Sequence, residues 1–330
     1  MARPIFDIHC DLLIYLTEDN SDINTTTDIG SSIPFLKKGN VKLQTMAIFV
    51  PTEPESHKLG IQQSEIYKNL ITNKSAASGL YSIEKEHLHS VQNREGIGTV
   101  VAIENASAFC DEEMRLTEGF ENLESIIKNV GKLFYISLTH HAENRFGGGN
   151  YATAGLKNDG KALLDYMSGR NIALDFSHTS DALAYDMLTY LAKQNLDIPI
   201  IASHSNYRHV WDHPRNLPDE IAKEIINQNG LIGVNFLRAF LDTENPDALY
   251  DHITHGISLG GNDAICFGAD YFYTGTDPDP SRLPYYYPAH QDASRYPDIT
   301  TELERRFGSE MADKIASKNV IRFLEKLFRS

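Results

Sequence analysis

Short apolar runs recur along the chain, each followed by a longer amphipathic or polar stretch. Eight of these runs predict strands, at residues 5–9, 43–50, 99–104, 133–138, 172–176, 199–202, 231–235 and 264–268. Several are β-branched and apolar throughout, as strands covered on both faces must be. Between most of them apolar residues return at mixed three and four spacing, which predicts helices over 60–72, 119–129, 159–169, 181–194, 218–228 and 247–259. A last helix is expected over 309–328, closing the fold. Asp159-Gly160 and Ser180-Asp181 supply helix starts, while Gly169 and Gly230 supply stops. Alternation of strand and helix implies a parallel sheet, and eight repeats favour closure into a (β/α)8 TIM barrel of the α/β class over an open sheet.

No linker rich in Pro, Gly or Ser divides the chain, so one domain is drawn over residues 1–330, with long loops at 140–155 and 271–298. Both loops leave the C-terminal ends of strands, where barrel active sites sit. The first carries Gly147-Gly148-Gly149. No Lys-Ser/Thr follows and no helix opens after it, so it reads as a flexible loop and not a phosphate loop. The second is dense in Tyr and Pro, and Tyr285-Tyr286-Tyr287 is expected to pack a lid or a subunit contact.

Composition narrows the classes. Hydrophobic residues make up 41% of 330, enough for a large core, and 45 acidic against 30 basic residues give a net charge of −15. That charge argues against nucleic acid or an anionic membrane as partner. Cys10, Cys110 and Cys266 are few and scattered, and are expected to be buried free thiols. No stretch reaches the ~18 apolar residues of a membrane span. The N-terminus lacks a signal-peptide pattern, so a cytoplasmic protein is expected.

Candidate chemistry gathers at strand ends. His9 and Asp11 close the first strand, and period-two alternation puts them on one face. Glu104 ends the third, where an unpaired carboxylate would be costly to bury. His178 and His204 follow the fifth and sixth, and Asp270 ends the eighth. In a closed barrel these ends ring one mouth. The set of imidazoles and carboxylates then predicts two divalent ions. One would be held by His9 and Asp11, the other by His178 and His204, with Glu104 bridging. The absence of thiolate suits zinc, with Mn2+ or Co2+ as substitutes, and two such ions would share a hydroxide. His87-Leu88-His89, His252 and His255 are placed at the surface, away from the mouth.

Those residues resemble the motifs of the membrane (renal) dipeptidases and their bacterial relatives. Asp7-Ile8-His9-Cys10-Asp11 resembles the family's first zinc motif, and Ala102-Ile103-Glu104-Asn105 its bridging glutamate. Leu174-Asp175-Phe176-Ser177-His178-Thr179-Ser180 and Ala202-Ser203-His204-Ser205-Asn206 are similar to the histidine motifs of the second zinc. Ser137-Leu138-Thr139-His140 resembles a stretch whose histidine contacts substrate. His213-Pro214-Arg215-Asn216-Leu217-Pro218-Asp219 is similar to the segment whose arginine binds the substrate carboxylate, and Phe267-Gly268-Ala269-Asp270-Tyr271 to the segment of the strand-eight aspartate. The order and spread of these seven motifs cover nearly the whole chain.

The resemblance implies a zinc-dependent dipeptidase, and a homodimer. Asp270 would relay the proton, His140 (favoured over His141 mainly on the resemblance) would bind the oxyanion, and Arg215 would grip the C-terminal carboxylate. Two departures bear on substrate preference. Relatives commonly carry Phe-Asp-Gly after the strand-eight aspartate, where this chain has Tyr271-Phe272-Tyr273. Leu237 stands where renal-type enzymes have a tyrosine. Another binuclear hydrolase, acting on a cyclic amide, lactone or deaminable base, stays open, as does a metal-binding relative without catalysis.

Overall fold

The computed structural model of the chain describes residues 2–18, 22–73, 79–275 and 282–328. Among them nine strands form one sheet in which every pairing is parallel. They are β1 (Ile5–Asp7), β2 (Val41–Phe49), β3 (Leu80–Ser82), β4 (Ile97–Glu104), β5 (Leu133–Ser137), β6 (Ala173–Asp175), β7 (Ile200–Ala202), β8 (Leu231–Val234) and β9 (Ile265–Phe267). β2 pairs β4 in unbroken register from Leu43↔Gly98 to Phe49↔Glu104, and β9 returns to β1 through Asp7↔Phe267. Eight strands therefore close a barrel with flanking helices, as the apolar pattern implies. The short β3 lies outside that ring, bonded to the first half of β4. Its three residues, Leu-Tyr-Ser, carry too little pattern to predict.

Alternation along β4 sets the inside and outside of the barrel. Val100 and Ala102 join an interior cluster with Phe6, Ile8 and Phe134, while Val101 and Ile103 face the helices. The same period turns Glu104 inward at the C-terminal end. The interior cluster is closed at the opposite end by Phe323, Leu324 and Leu327 of the helix Asn319–Leu327, with the Phe323 and Phe134 rings 5.9 Å apart. The apolar barrel floor thus leaves polar chemistry only one open end.

Several expectations need correction. The predicted last helix is three pieces, Ser309–Asp313, a wider π turn over Lys314–Lys318, and Asn319–Leu327. The 271–298 segment is not one long loop. It holds helical turns at Pro288–His290 and Ala293–Arg295, and the helix Tyr296–Phe307 begins inside it. Residues 276–281 of that loop lie outside the described residues. Tyr285 and Tyr286 are buried within the chain itself, where Tyr286 forms an antiparallel bridge with Leu237. The glycine run is packed rather than flexible: Gly147, Gly148 and Gly149 are buried, and a Cβ on Gly149 would meet the His140 carbonyl oxygen at 2.1 Å. His252, expected at the surface, is fully buried, its Nδ1 accepting the Tyr207 N–H and its Nε2 donating to Leu241 O. The three cysteines are buried and free, as expected.

Candidate metal centre

Each strand end delivers its side chain through a local turn. Regular pairing of β1 stops at Asp7, whose Oδ1 accepts the His9 and Ala269 N–H groups at 3.2 and 3.1 Å while Oδ2 accepts the Tyr296 hydroxyl at 2.7 Å. Asp175 repeats the device after β6, accepting from Ser177 N at 3.0 Å and Ser203 N at 2.7 Å. A buried aspartate thus turns the chain just before His9 and again before His178. His178 and Asp270 take left-handed backbone conformations, with φ of 63° and 64°, and Asn105 after Glu104 has φ of 75°. Such conformations are costly for non-glycine residues and gather at functional sites.

The structure brings His9, Asp11, Glu104, His178, His204 and Asp270 together, all nearly or fully buried. Glu104 stands at the centre with its two oxygens divided. Oε1 lies 2.9 Å from His178 Nε2 and 3.2 Å from His204 Nε2, while Oε2 lies 3.4 Å from His9 Nε2. His9 Nε2 is also 3.7 Å from Asp11 Oδ1 and 3.5 Å from Asp270 Oδ1.

Hydrogen bonds on the far side of each ring decide which nitrogen carries the proton. Tyr135 donates its hydroxyl to Ile8 O at 3.1 Å, so the 2.7 Å contact with His9 is a bond donated by His9 Nδ1. Ser203 donates to Asp175 Oδ2 at 2.6 Å and so accepts from His204 Nδ1 at 2.7 Å. The Asn150 amide oxygen accepts from Nδ1 of both His178 and His141, at 3.1 and 3.0 Å. All three central imidazoles therefore point bare Nε2 lone pairs inward, the tautomer a metal ligand requires.

Burial shapes the charges. Desolvation pushes Glu104 up to about 8, against a smaller opposing pull from Arg215. It raises Asp270 to about 6 and holds Asp11 well above the carboxylate range, with Glu104 adding repulsion. It drives His140, His178 and His204 well below the usual imidazole range.

A cation fits this set. His178 Nε2 and His204 Nε2 lie 2.9 Å apart with both lone pairs facing, which neither ring can satisfy by donating. His9 Nε2, Asp11 Oδ1 and Glu104 Oε2 are buried without hydrogen-bond partners. Native proteins rarely leave buried polar atoms so.

The centre floors a cleft of about 360 Å³ that also exposes His140 and His141. His140 packs edge-on against Phe49, with its Nε2 4.0 Å from Glu104 Oε1. His141, set aside in the sequence, lines the same cleft, and burial lowers it to about 4. Arg215 is buried beside the centre. It donates to Ser205 Oγ and His204 O, both at 2.9 Å, leaves Nε unpartnered, and has no carboxylate within ion-pair reach among the described residues. Asp270 accepts from Asn235 Nδ2 at 2.7 Å, and its carbonyl oxygen accepts the Tyr286 hydroxyl.

Tyr135, Asn150 and Asn235 were not foreseen. Asn235 carried the same signal as Glu104, a polar residue ending an apolar run. Asn150, inside a glycine-rich loop, carried none.

A closed parallel barrel with such a ring of imidazoles and carboxylates at its C-terminal mouth is a metallohydrolase barrel. Residues 1–328 match the membrane dipeptidase family, peptidase family M19, and the chain belongs to that family of metallopeptidases. An uncharacterized dipeptidase of Schizosaccharomyces pombe is 27% identical over 97% of this chain and 80% of its own. Dipeptidase verJ of Clonostachys rogersoniana is 26% identical over 84% of this chain and 67% of its own. Among solved structures, dipeptidase AC, a metallopeptidase of family M19, superposes with a TM-score of 0.83 at 19% identity, covering 100% of both chains. A Rhodobacter sphaeroides metallopeptidase, bound to a phosphinate mimic of L-Ala-D-Ala, gives 0.81 at 19% identity over 99% of this chain and 100% of its own. At those identities the structural likeness bears on the fold.

Proposed function

We propose that residues 1–330 act as one barrel unit, a zinc-dependent dipeptidase whose centre holds two ions. His9 and Asp11 would hold one, His178 and His204 the other, and Glu104 would reach both. The observation that carries this reading is the division of the Glu104 carboxylate, one oxygen toward each set. A second observation supports two positions over one. The His9 and His204 rings stack 3.6 Å apart with planes 19° from parallel. An imidazole binds a metal close to its own ring plane, so near-parallel rings address separate ions.

The donor set of imidazole nitrogen and carboxylate oxygen without thiolate favours zinc, with Mn2+ or Co2+ able to substitute. Bound there, the ions would polarise the scissile carbonyl and bring the pKa of water toward neutrality. The chain's own residues do the rest. Asp270, held by Asn235, takes the proton from the attacking water and passes it to the leaving amine. His140 stays neutral and donates to the oxyanion. Arg215 pairs with the substrate's C-terminal carboxylate, and its fixed distance from the centre selects dipeptides over longer chains. A homodimer is part of the proposal on the family alone. No described helix is long and apolar enough to cross a membrane.

The test is hydrolysis of L-Ala-L-Ala and Gly-D-Ala by protein reconstituted with zinc, alongside elemental analysis. Two equivalents with turnover are expected. Two equivalents with no turnover of any dipeptide would favour a binding protein over an enzyme.

A further inference from the structure

Arg215 belongs to the segment after β7, and around the ring β1-β2-β4-β5-β6-β7-β8-β9 the strand four places from β7 is β2. A dipeptide with its carboxylate on Arg215 therefore extends across the centre toward β2 and its neighbour β1. Phe49 ends β2 there, and Ile14 lies on the helix Leu12–Glu18 that follows β1. Phe272 and Tyr273 complete the wall from beyond β9, with Tyr273 backed by the Tyr15 ring at 5.0 Å and Phe272 by Tyr285 at 5.4 Å. All four of these cleft-lining side chains are half-buried, each with surface open to the cleft.

Resting on the dipeptidase reading, we infer that this wall is a subsite for the side chain of the substrate's N-terminal residue, and that it selects large apolar side chains. A carboxylate and a glycine at 272 and 273 would leave that end polar and open. A phenyl and a phenol ring make it an apolar shelf, where each substrate methylene leaving water gains affinity. Arg282 is exposed and is the one Lys or Arg side chain lining the cleft among the described residues. A preference for an acidic N-terminal residue is thus the competing outcome.

The experiment compares kcat/KM of the zinc-loaded protein for Phe-Ala, Leu-Ala, Gly-Ala and Glu-Ala, with the C-terminal residue held constant. Phe-Ala and Leu-Ala are expected to exceed Gly-Ala by at least about tenfold, equivalent to roughly 1.4 kcal/mol. That ratio should fall toward unity in Phe272→Asp/Tyr273→Gly, and partway in the milder Phe272→Ala. Calorimetry with phosphinate dipeptide mimics bearing a benzyl group or hydrogen at the N-terminal position reads the same discrimination without turnover. Gly-Ala or Glu-Ala equal to or better than Phe-Ala in the parent protein would overturn the subsite while leaving the dipeptidase reading intact. Failure to turn over any of the four would overturn both.

Discussion

Replacing Glu104 with glutamine should change stability in opposite directions with and without metal. Burial raises the Glu104 carboxyl from its ordinary 4.5 to about 8. At roughly 1.4 kcal/mol per pH unit, that rise corresponds to about 4–5 kcal/mol against the ionised form. The sign follows from linkage. A carboxyl whose folded value lies above its unfolded value favours the fold only while protonated. The metal-free protein therefore loses stability as pH climbs from about 4.5 through about 8. Glu104→Gln removes that loss, together with the repulsion toward Asp11. In chelator at pH 8.5 the variant should melt several degrees above the parent, given roughly 2 °C per kcal/mol for a chain of this size. At pH 4.5 the two should coincide. With saturating zinc the order should reverse. At a thousandfold excess over Kd each of the two proposed ions adds about 4 kcal/mol to the parent, and a hundredfold weakening of both sites forfeits about 5.4 kcal/mol in all, more than the substitution gains in chelator. Scanning calorimetry at the two pH values, with EDTA and with zinc, reads all four conditions. A variant less stable than the parent in EDTA at pH 8.5 would refute the reasoning, because the carboxylate would then be stabilised by the protein alone.

Asp270→Asn should lower kcat about 10²–10⁴-fold with a smaller effect on KM. Asp270 works ionised, so the parent's rate should fall on the acid side as Asp270 protonates, at or below the value of about 6 that burial imposes without ions. A pH–rate profile in which the variant keeps that acid limb would assign the limb elsewhere. Arg215→Met should raise KM for dipeptides far more than it slows a neutral amide, measured by paired steady-state kinetics. Equal losses would return the cyclic-amide reading. Asn150→Ala frees the Nδ1 protons of His178 and His141, so zinc affinity should drop about 10–100-fold in competition with a chromophoric chelator. Unchanged affinity would make Asn150 a loop-packing residue only.

The barrel was legible because its strands are short apolar runs buried on both faces, which leave a plain mark. The gathering of Glu104, His178, His204 and Asp270 followed from their positions at the ends of such runs. What stayed hidden has physical causes. Helices of four to seven residues, such as Leu12–Glu18 and Arg238–Leu241, are too short to express a 3.6-residue period. The helix Tyr296–Phe307 begins with Pro297 in its first turn, a favourable place for proline that reads as a break in a Tyr- and Pro-rich stretch. Gly147–Gly149 looked like flexibility, yet a Cβ on Gly148 or Gly149 would run into neighbouring backbone and one on Gly147 into the Leu183 side chain. Asn150 was invisible because its role lies in which ring nitrogens it meets across the fold.

An anomalous difference map from crystals grown with zinc tests the central claim most directly. Two peaks about 3.5–4 Å apart, one beside His9 and Asp11 and the other beside His178 and His204, with a Glu104 oxygen on each, are the predicted result. A single peak at the mouth, or two peaks with Glu104 turned away from both, would contradict it.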